Sequence, residues 1–306
     1  MRFGFHAINL GALATPGLVR QIVAACERYK IDSIWTGDHI INAATISSSY
    51  PYSPTGTFPL RPEEPILEPL TFMAFLAGQT STIQIGVSVL IVPYRNPVVT
   101  ARALGTLDFL SNGRVIVGVG SGWMKEEFDA LGVPFAERGA QTDEFIRIFK
   151  EIWTNPQPQF TGKYYQFSGI TAYPQPVQKP HPPIWVGGNS KRAMRRALEL
   201  GEGWQPGWSR PDQLAQELQD FQRVAERVGR DPKSVEISLL RPMQILKQKT
   251  DSHRPLVGTP EQIAEDIRAY QRLGVSHLVF SFRTRHLAEA LETIERFATQ
   301  VRPLVP

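Results

Sequence analysis

The sequence predicts an α/β protein, a single (β/α)8 TIM barrel that covers residues 1–306. Strand-like apolar runs alternate with helical patterns eight times, and no change in composition marks a domain boundary. Crossover units of this kind close most simply into a barrel. The alternative is an open doubly wound sheet, which should carry a G-x-G-x-x-G turn after its first strand. This chain has N-L-G-A-L there, at Asn9–Leu13, so we expect the barrel.

The first half of the chain gives four strand-and-helix units. Thr15 and Pro16 offer an N-cap followed by proline at the first helical position, and Val19, Ile22 and Cys26 mark one apolar helix face behind them. In chain order, the predicted units are strand Arg2–Ile8 with a helix from Pro16, strand Ile31–Thr36 with helix Glu68–Gly78, strand Ile83–Val92 with helix Pro97–Leu110, and strand Gly113–Gly120 with helix Arg138–Trp153.

The second half repeats the pattern after an irregular stretch at about residues 155–182. That stretch is rich in proline and tyrosine, and we expect an insertion loop with a hairpin around Phe160–Phe167. In chain order, the predicted units are strand Ile184–Val186 with helix Ser190–Leu200, strand Gly203–Pro206 with helix Pro211–Val228, strand Val235–Leu246 with helix Thr259–Leu273, and strand Ser276–Phe282 with helix Leu287–Val301.

A first insertion loop, at about residues 40–68, is longer than most connections in a compact domain. It contains serines, several prolines and the aromatic residues Tyr50, Tyr52 and Phe58. Interleaved aromatic side chains favour a lid or a pocket wall, and a linker is the alternative.

Composition and charge limit the classes of function. The net charge is only +4 and the arginines are scattered, which argues against nucleic-acid binding. We expect no membrane span, because no run of eighteen apolar residues occurs. Cys26 is the single cysteine, which excludes an internal disulfide and a thiolate metal cluster. The N-terminus has no signal-peptide pattern, so we expect a cytoplasmic protein.

Two predicted strands run directly into glycine-rich turns. Val115–Trp123 reads V-I-V-G-V-G-S-G-W, and Pro183–Ser190 reads P-I-W-V-G-G-N-S. Glycine lets a backbone approach a phosphate closely, and the N–H groups of the turn and of the following helix attract an anion. A tight turn without a ligand is the alternative for either one alone. Together the two turns favour a ligand that carries a phosphate.

Polar residues gather where the strands of such a barrel end, which is where ligands bind. Asp38 and His39 form the sharpest pair, because histidine titrates near neutral pH and a carboxylate beside it can orient the ring. The alternative is an N-cap aspartate with an unrelated histidine next to it. Further residues at predicted strand ends are His6, Asn9, Tyr94, Trp123, Trp204, Trp208, Arg241, Arg283 and Arg285.

The pattern of histidines and serines argues against two other kinds of site. His6, His39 and His181 are dispersed and show no H-x-H or H-x-x-x-H spacing, so we predict no metal site. Ser121 stands in Gly-Ser-Gly rather than in G-x-S-x-G, so it is not a predicted nucleophile. We expect it to donate a hydrogen bond to a phosphate.

Four segments carry a resemblance to a known family: W-T-G-D-H-I at Trp35–Ile40, Ile85–Pro97, Asn112–Trp123 and Pro182–Ser190. With them the whole chain resembles the luciferase-like monooxygenase superfamily, and more narrowly its branch that uses the deazaflavin coenzyme F420. The resemblance implies the barrel with insertions. It also implies a non-prolyl cis peptide bond between Ser88 and Val89, behind the central ring of the cofactor.

The resemblance also implies roles for site residues. Asp38 would hydrogen-bond the pyrimidine edge of the cofactor, and His39 would be the catalytic proton donor or acceptor. The residues expected to bind the ring or the phosphate tail are Ser88, Val89, Gly120, Ser121, Gly122, Gly187, Gly188, Asn189 and Ser190. Sugar-phosphate dehydrogenases of the family have a glutamate where this chain has Trp123. We therefore expect no acid partner and no sugar-phosphate substrate, since Glu126 and Glu127 do not obviously replace that glutamate.

The function that the resemblance implies is hydride transfer between coenzyme F420 and a small organic substrate. The first alternative is an FMN-dependent monooxygenase that receives reduced flavin from a partner reductase. The second is a flavin-binding carrier without catalysis. Tryptophans and Tyr94 near the predicted mouth favour an apolar or aromatic substrate, although core packing explains each of them singly. Barrels of this family often form dimers, so a homodimer and a monomer are both expected alternatives.

Overall fold

The computed structural model describes residues 1–6, 8–53, 55–250 and 254–305. Among these residues, eight parallel strands form a barrel. In chain order they are β1 (Arg2–His6), β2 (Ser33–Thr36), β3 (Gln84–Ile91), β4 (Val115–Gly120), β7 (Ile184–Gly187), β8 (Gly203–Gln205), β9 (Glu236–Ile245) and β11 (Val275–Phe282). The barrel is closed, because β8 pairs with β9 as well as with β7. The predicted TIM barrel is confirmed. The first strand, predicted to reach Ile8, is described to His6, and Ala7 lies outside the described residues.

Helices follow the strands and cover the outside of the barrel. They are α1 (Pro16–Arg28), α2 (Pro69–Gln79), α3 (Pro97–Leu110), α4 (Lys125–Ala130), α5 (Arg138–Thr154), α6 (Lys191–Leu200), α7 (Pro211–Val228), α8 (Pro260–Arg272) and α9 (Leu287–Arg296). Five of them begin with proline, whose fixed φ and missing N–H suit the first helical position. The predicted helix Leu287–Val301 ends instead in a π-helical turn from Phe297 to Val301. None of the described helices is long and apolar enough to cross a membrane.

Two tryptophans fill the interior of the barrel. The rings of Trp35 on β2 and Trp185 on β7 stack with their centroids 5.2 Å apart, and both side chains are fully buried. Glycines on neighbouring strands make room for them. A Cβ at Gly86 would lie 2.3 Å from Trp35, and one at Gly203 would lie 2.3 Å from Trp185. The interior is therefore packed with side chains, and a ligand must bind at the mouth.

The two insertion loops differ in structure. Residues 155–182 contain an antiparallel hairpin of β5 (Phe160–Thr161) and β6 (Gln166–Phe167), which confirms the predicted hairpin. Residues 40–68 contain no helix or strand among those described, and Pro54 lies outside the described residues. This loop is joined to the first βα connection by a bridge between Leu10 and Ile66. One further short strand, β10 (Val257–Gly258), extends the sheet beside β9.

Candidate active site

His39 lies just beyond the carboxyl end of β2 and is held by a buried glutamate. Its Nδ1 is 2.8 Å from Oε2 of Glu127, whose side chain has no exposed surface. The hydroxyl of Tyr94 donates to the same oxygen over 2.9 Å. The backbone N–H groups of Ile40 and Ile41 donate to Oε1 over 2.5 and 3.2 Å. Glu127 therefore connects the His39 ring, the backbone that follows His39, and Tyr94 in one buried cluster.

The expectation that this histidine has no acid partner was wrong. After Trp123 the chain turns into α4, a helix that was not predicted from the sequence. One turn of this short helix carries Glu127 back to the end of β2. Its neighbour Glu126 points to the insertion loop instead. Glu127 lies four residues after Trp123, and only the direction of the six-residue helix α4 shows that its side chain reaches His39.

Asp38 is fully buried and locks the end of β2 to the end of β3. Arg95 donates to both carboxylate oxygens over 2.8 Å, and the N–H of Ile91 donates to one of them over 2.7 Å. Arg95 also pairs with Glu68 at 2.9 Å. Burial raises the pKa of Asp38, although Arg95 and the Ile91 N–H favour its ionised form. A contact between Asp38 and a cofactor stays a prediction, and the contacts seen here give it a bracing role.

A chain of polar contacts crosses the mouth from β1 to β9. The peptide bond between Ser88 and Val89 is cis, as expected, and the Ser88 carbonyl oxygen lies 3.1 Å from Nε2 of His6. The Ser88 hydroxyl donates to Gln205 over 2.6 Å, and Gln205 donates to the Ser238 hydroxyl over 3.1 Å. Burial lowers the pKa of His6 to about 4, so its ring is neutral at physiological pH. These groups form a polar floor beneath the mouth.

Both predicted glycine turns lie against the same side chain. A Cβ at Gly120, at the end of β4, would lie 2.5 Å from Val89 Cγ2. A Cβ at Gly187, at the end of β7, would lie 2.6 Å from Val89 Cγ1. Val89 occupies the space that the two glycines leave free. The cis peptide bond and the two turns are therefore brought together at one mouth, with His39 beside them through its contact with Trp123.

The first turn is flanked by arginines that the sequence analysis did not select. Gly122 has φ +81°, a left-handed conformation that favours glycine. The Arg138 Nε donates to the Gly122 carbonyl oxygen over 3.2 Å, and its guanidinium lies 3.7 Å from the ring centre of Phe135. Burial and the positive charge of Arg192 lower the pKa of Arg138, as expected for two neighbouring cations. An anion bound at Ser121 and Gly122 would be attracted by the charge of Arg138.

The second turn is braced by its own side chains. Gly188 has φ +114°. Asn189 accepts a hydrogen bond from the Gly207 N–H over 2.8 Å and donates to the Ser209 hydroxyl and to Glu217 over 3.0 and 2.6 Å. The hydroxyl of Ser190 caps α6 by accepting from the Ala193 N–H over 3.2 Å. The contacts of Asn189 and Ser190 are thus structural, and their predicted contact with a phosphate stays a prediction.

Aromatic residues of the first insertion loop lie over His39. We call Tyr50, Tyr52 and Phe58 the aromatic lid. The Phe58 ring centroid is 4.8 Å from that of His39, and Trp123 lies 5.1 Å from Tyr50 and 5.4 Å from Phe58. This arrangement encloses the histidine with apolar rings.

One carboxylate fixes the lid segment to α4. Glu126 accepts hydrogen bonds from the N–H groups of Ser47 and Ser48 over 2.7 and 3.0 Å, and Ser48 accepts one from the Lys125 N–H over 3.0 Å. Partial burial raises the pKa of Glu126, but these hydrogen bonds outweigh it and bring the pKa to about 2. The carboxylate is therefore ionised at neutral pH and holds the loop segment at Ser47 and Ser48 against α4.

The cluster can hold a flat ring against apolar side chains and move one proton at a histidine. Within the described part of the chain, no group of three or more His, Cys, Asp or Glu residues could hold a metal ion. The sequence signal for three residues of the site was weak: Arg138 is the first residue of α5, Arg95 lies between β3 and α3, and Gln205 is the last residue of the three-residue strand β8.

Comparisons with known proteins agree with this architecture. Residues 3–254 match the family model described as luciferase-like monooxygenase. The FMNH2-dependent dimethylsulfone monooxygenase of Pseudomonas putida is 28% identical over 290 residues, 78% of each chain. The F420-dependent glucose-6-phosphate dehydrogenase of Amycolatopsis mediterranei is 32% identical over 191 residues, 61% of this chain and 52% of that protein.

A solved structure extends the likeness over the whole fold. An F420-dependent secondary alcohol dehydrogenase, in complex with an F420–acetone adduct, aligns with a TM-score of 0.79. The alignment covers 100% of this chain and 99% of that one, at 17% identity. At this identity the likeness concerns the fold.

Proposed function

The chain belongs to the luciferase-like monooxygenase family, and on that premise we propose that it is an oxidoreductase that transfers a hydride between coenzyme F420 and a small organic substrate. The observation that carries the proposal is His39, held by Glu127 and enclosed by aromatic rings at the mouth of the barrel. Hydride transfer to or from oxygen-bearing carbon needs one positioned proton and exclusion of water. In this proposal His39 would supply the proton, and the aromatic rings around it would exclude water.

The residues present at the mouth fit a phosphate-bearing tricyclic cofactor. Gly122 and Gly188 have positive φ values, a backbone conformation that glycine adopts without strain, and Arg138 adds a positive charge next to Gly122. Val89 and the polar floor would lie behind the ring. When bound, F420 supplies or accepts a hydride at C5 of its ring, so the redox step is a property of the cofactor.

The protein's own contribution would be proton transfer and burial. Nε2 of His39 would give a proton to a substrate oxygen on reduction, or take one from a hydroxyl on oxidation. Such a positioned group contributes about 10²–10⁴-fold to the rate. The aromatic lid and Trp123 favour an apolar substrate, because the rings of Phe58 and Trp123 pack against the His39 ring.

An FMN-dependent monooxygenase is the second candidate. It is favoured by the similarity to the dimethylsulfone enzyme, whose name states FMNH2 dependence and whose alignment covers more of the chain than that of the F420 enzyme. In that case a partner reductase would supply reduced flavin to the same mouth.

Equilibrium titration of the purified protein with F420 and with FMN separates the two candidates. We expect tighter binding of F420, followed by oxidation of reduced F420 in the presence of an apolar ketone from a panel. His39→Ala should bind F420 as before and lose that oxidation. Tight binding of FMN alone would favour the monooxygenase, and turnover in His39→Ala would refute the proton-transfer role.

A further inference from the structure

We propose that Glu127 and Tyr94 form a positioning pair that holds His39 in the Nδ1–H form, so that Nε2 is the nitrogen presented to the substrate. The inference rests on the proposed function for its chemical meaning. The tautomer itself is a property of the protein without cofactor, so it can be measured separately.

The hydrogen-bond donors around Glu127 decide which nitrogen carries the hydrogen. Oε1 accepts from two backbone N–H groups, of Ile40 and Ile41, and Oε2 accepts from the hydroxyl of Tyr94. Tyr94 remains a donor, since burial raises its pKa and the charge of Glu127 raises it further. As a carboxylate, Glu127 can only accept, so the contact at 2.8 Å from His39 requires a hydrogen on Nδ1.

The surroundings of the ring then leave Nε2 for chemistry. His39 packs beneath Phe58, which has no hydrogen-bonding group, and against Trp123, whose indole N–H makes no hydrogen bond to His39 among the described residues. Among the residues that the structure describes, no donor or acceptor contacts Nε2. A neutral Nδ1–H imidazole has its lone pair at Nε2 and can accept a proton there. The cation has a hydrogen at both nitrogens and can donate from Nε2.

The backbone contacts make the arrangement rigid. The residues whose N–H groups bind Oε1 follow His39 directly in the chain, so one carboxylate fixes both the backbone and the ring of the same segment. Four donors fill the acceptor sites of one carboxylate. Glutamine has the same shape but only one acceptor oxygen, so its NH2 group would face two donors whichever way the amide turns.

The test is long-range ¹H–¹⁵N NMR of the cofactor-free, full-length protein labelled with ¹⁵N in the histidine rings, with His39 assigned by its absence from His39→Gln. In the wild type, at a pH alkaline enough for the imidazole to be neutral, we expect a protonated, pyrrole-type Nδ1 and an unprotonated, pyridine-type Nε2. Glu127→Gln should lose that single form and show the Nε2–H tautomer as well.

Glu144→Gln is the matched control. Glu144 is a buried glutamate on α5 that accepts three backbone N–H bonds, from Lys163, Tyr164 and Tyr165, and it has no contact with His39. This variant should lose stability to a similar degree and keep the His39 signature.

A wild-type spectrum with Nε2–H or with mixed tautomers overturns the inference, even if Glu127→Gln does not fold. An unchanged signature in folded Glu127→Gln overturns it as well. Neither result bears on cofactor binding. Conversely, failure of both F420 and FMN to bind would refute the proposed function and leave the measured tautomer intact.

Discussion

Replacement of Gly122 by alanine tests whether the turn after β4 needs glycine for two reasons at once. Its φ of +81° costs an L-residue about 1–2 kcal/mol. A Cβ would also lie 2.7 Å from Ile91 Cγ2 and 2.7 Å from Phe128 Cε2, and overpacking of this kind typically costs about 1–3 kcal/mol. We expect Gly122→Ala to lower the free energy of unfolding by about 2–5 kcal/mol and to weaken F420 binding by displacing the turn.

Gly132→Ala separates the two contributions. Gly132 also has a positive φ, +68°, but a Cβ there would meet nothing within 4 Å. It should therefore show only the backbone strain, about 1–2 kcal/mol, and unchanged cofactor affinity. Urea unfolding followed by tryptophan fluorescence gives the free energies, and equilibrium titration gives the affinities. Equal destabilisation by the two variants, or full F420 affinity in Gly122→Ala, would refute the argument from close packing.

Three more outcomes follow from the same contacts. Arg138→Gln should weaken F420 binding about tenfold at low ionic strength and less at high salt, as measured by titration, because it removes a charge beside Gly122; a salt-independent loss would contradict this. Trp123→Ala removes three ring contacts worth about 0.5–1.5 kcal/mol each, so amide hydrogen exchange in residues 45–61 should quicken by about tenfold or more; unchanged exchange would mean that Glu126 alone holds the lid. Burial lowers the pKa of His277 to about 3, and the positive charges of Arg2 and of the N-terminus contribute to this shift. As the pH falls below about 6.5, His277 therefore becomes protonated in the unfolded chain but not in the folded protein. Stability should therefore fall by up to about 1.4 kcal/mol per pH unit on acidification, and His277→Asn should show a shallower slope in urea unfolding at several pH values; identical slopes would sink this assignment.

The elements that the sequence predicted well have local causes. Helices Pro97–Leu110 and Pro211–Val228 were placed at their observed bounds, because proline fixes the start and an apolar stripe runs to the end. The predicted strand ends differ from the observed ones by at most two residues, since pairing in a barrel depends on neighbours that a linear pattern does not contain. The short helix Lys125–Ala130 was missed, because six residues are too few to show a period.

The candidate site likewise contains residues that could be selected from the sequence and contacts that could not. His39 and the glycines at 120, 122, 187 and 188 could be selected from their positions after buried strands, and the structure brings them to one mouth. The contact between Glu127 and His39 could not be predicted, since 88 residues separate them and the contact depends on how the short helix α4 packs. For Asp38 the family resemblance implied a contact with the cofactor, which stays a prediction, and the structure adds a buried ion pair with Arg95.

The sequence by itself determined a closed ring of eight parallel strands, two glycine-rich turns and a histidine at the carboxyl ends of the strands, because strand and helix periods and glycine turns are local properties of the chain. Only the tertiary structure decided which carboxylate orients that histidine, which aromatic rings cover it and which arginine flanks the first turn. Those contacts join residues far apart in the chain, and they depend on how the loops and the shortest helix pack across the mouth.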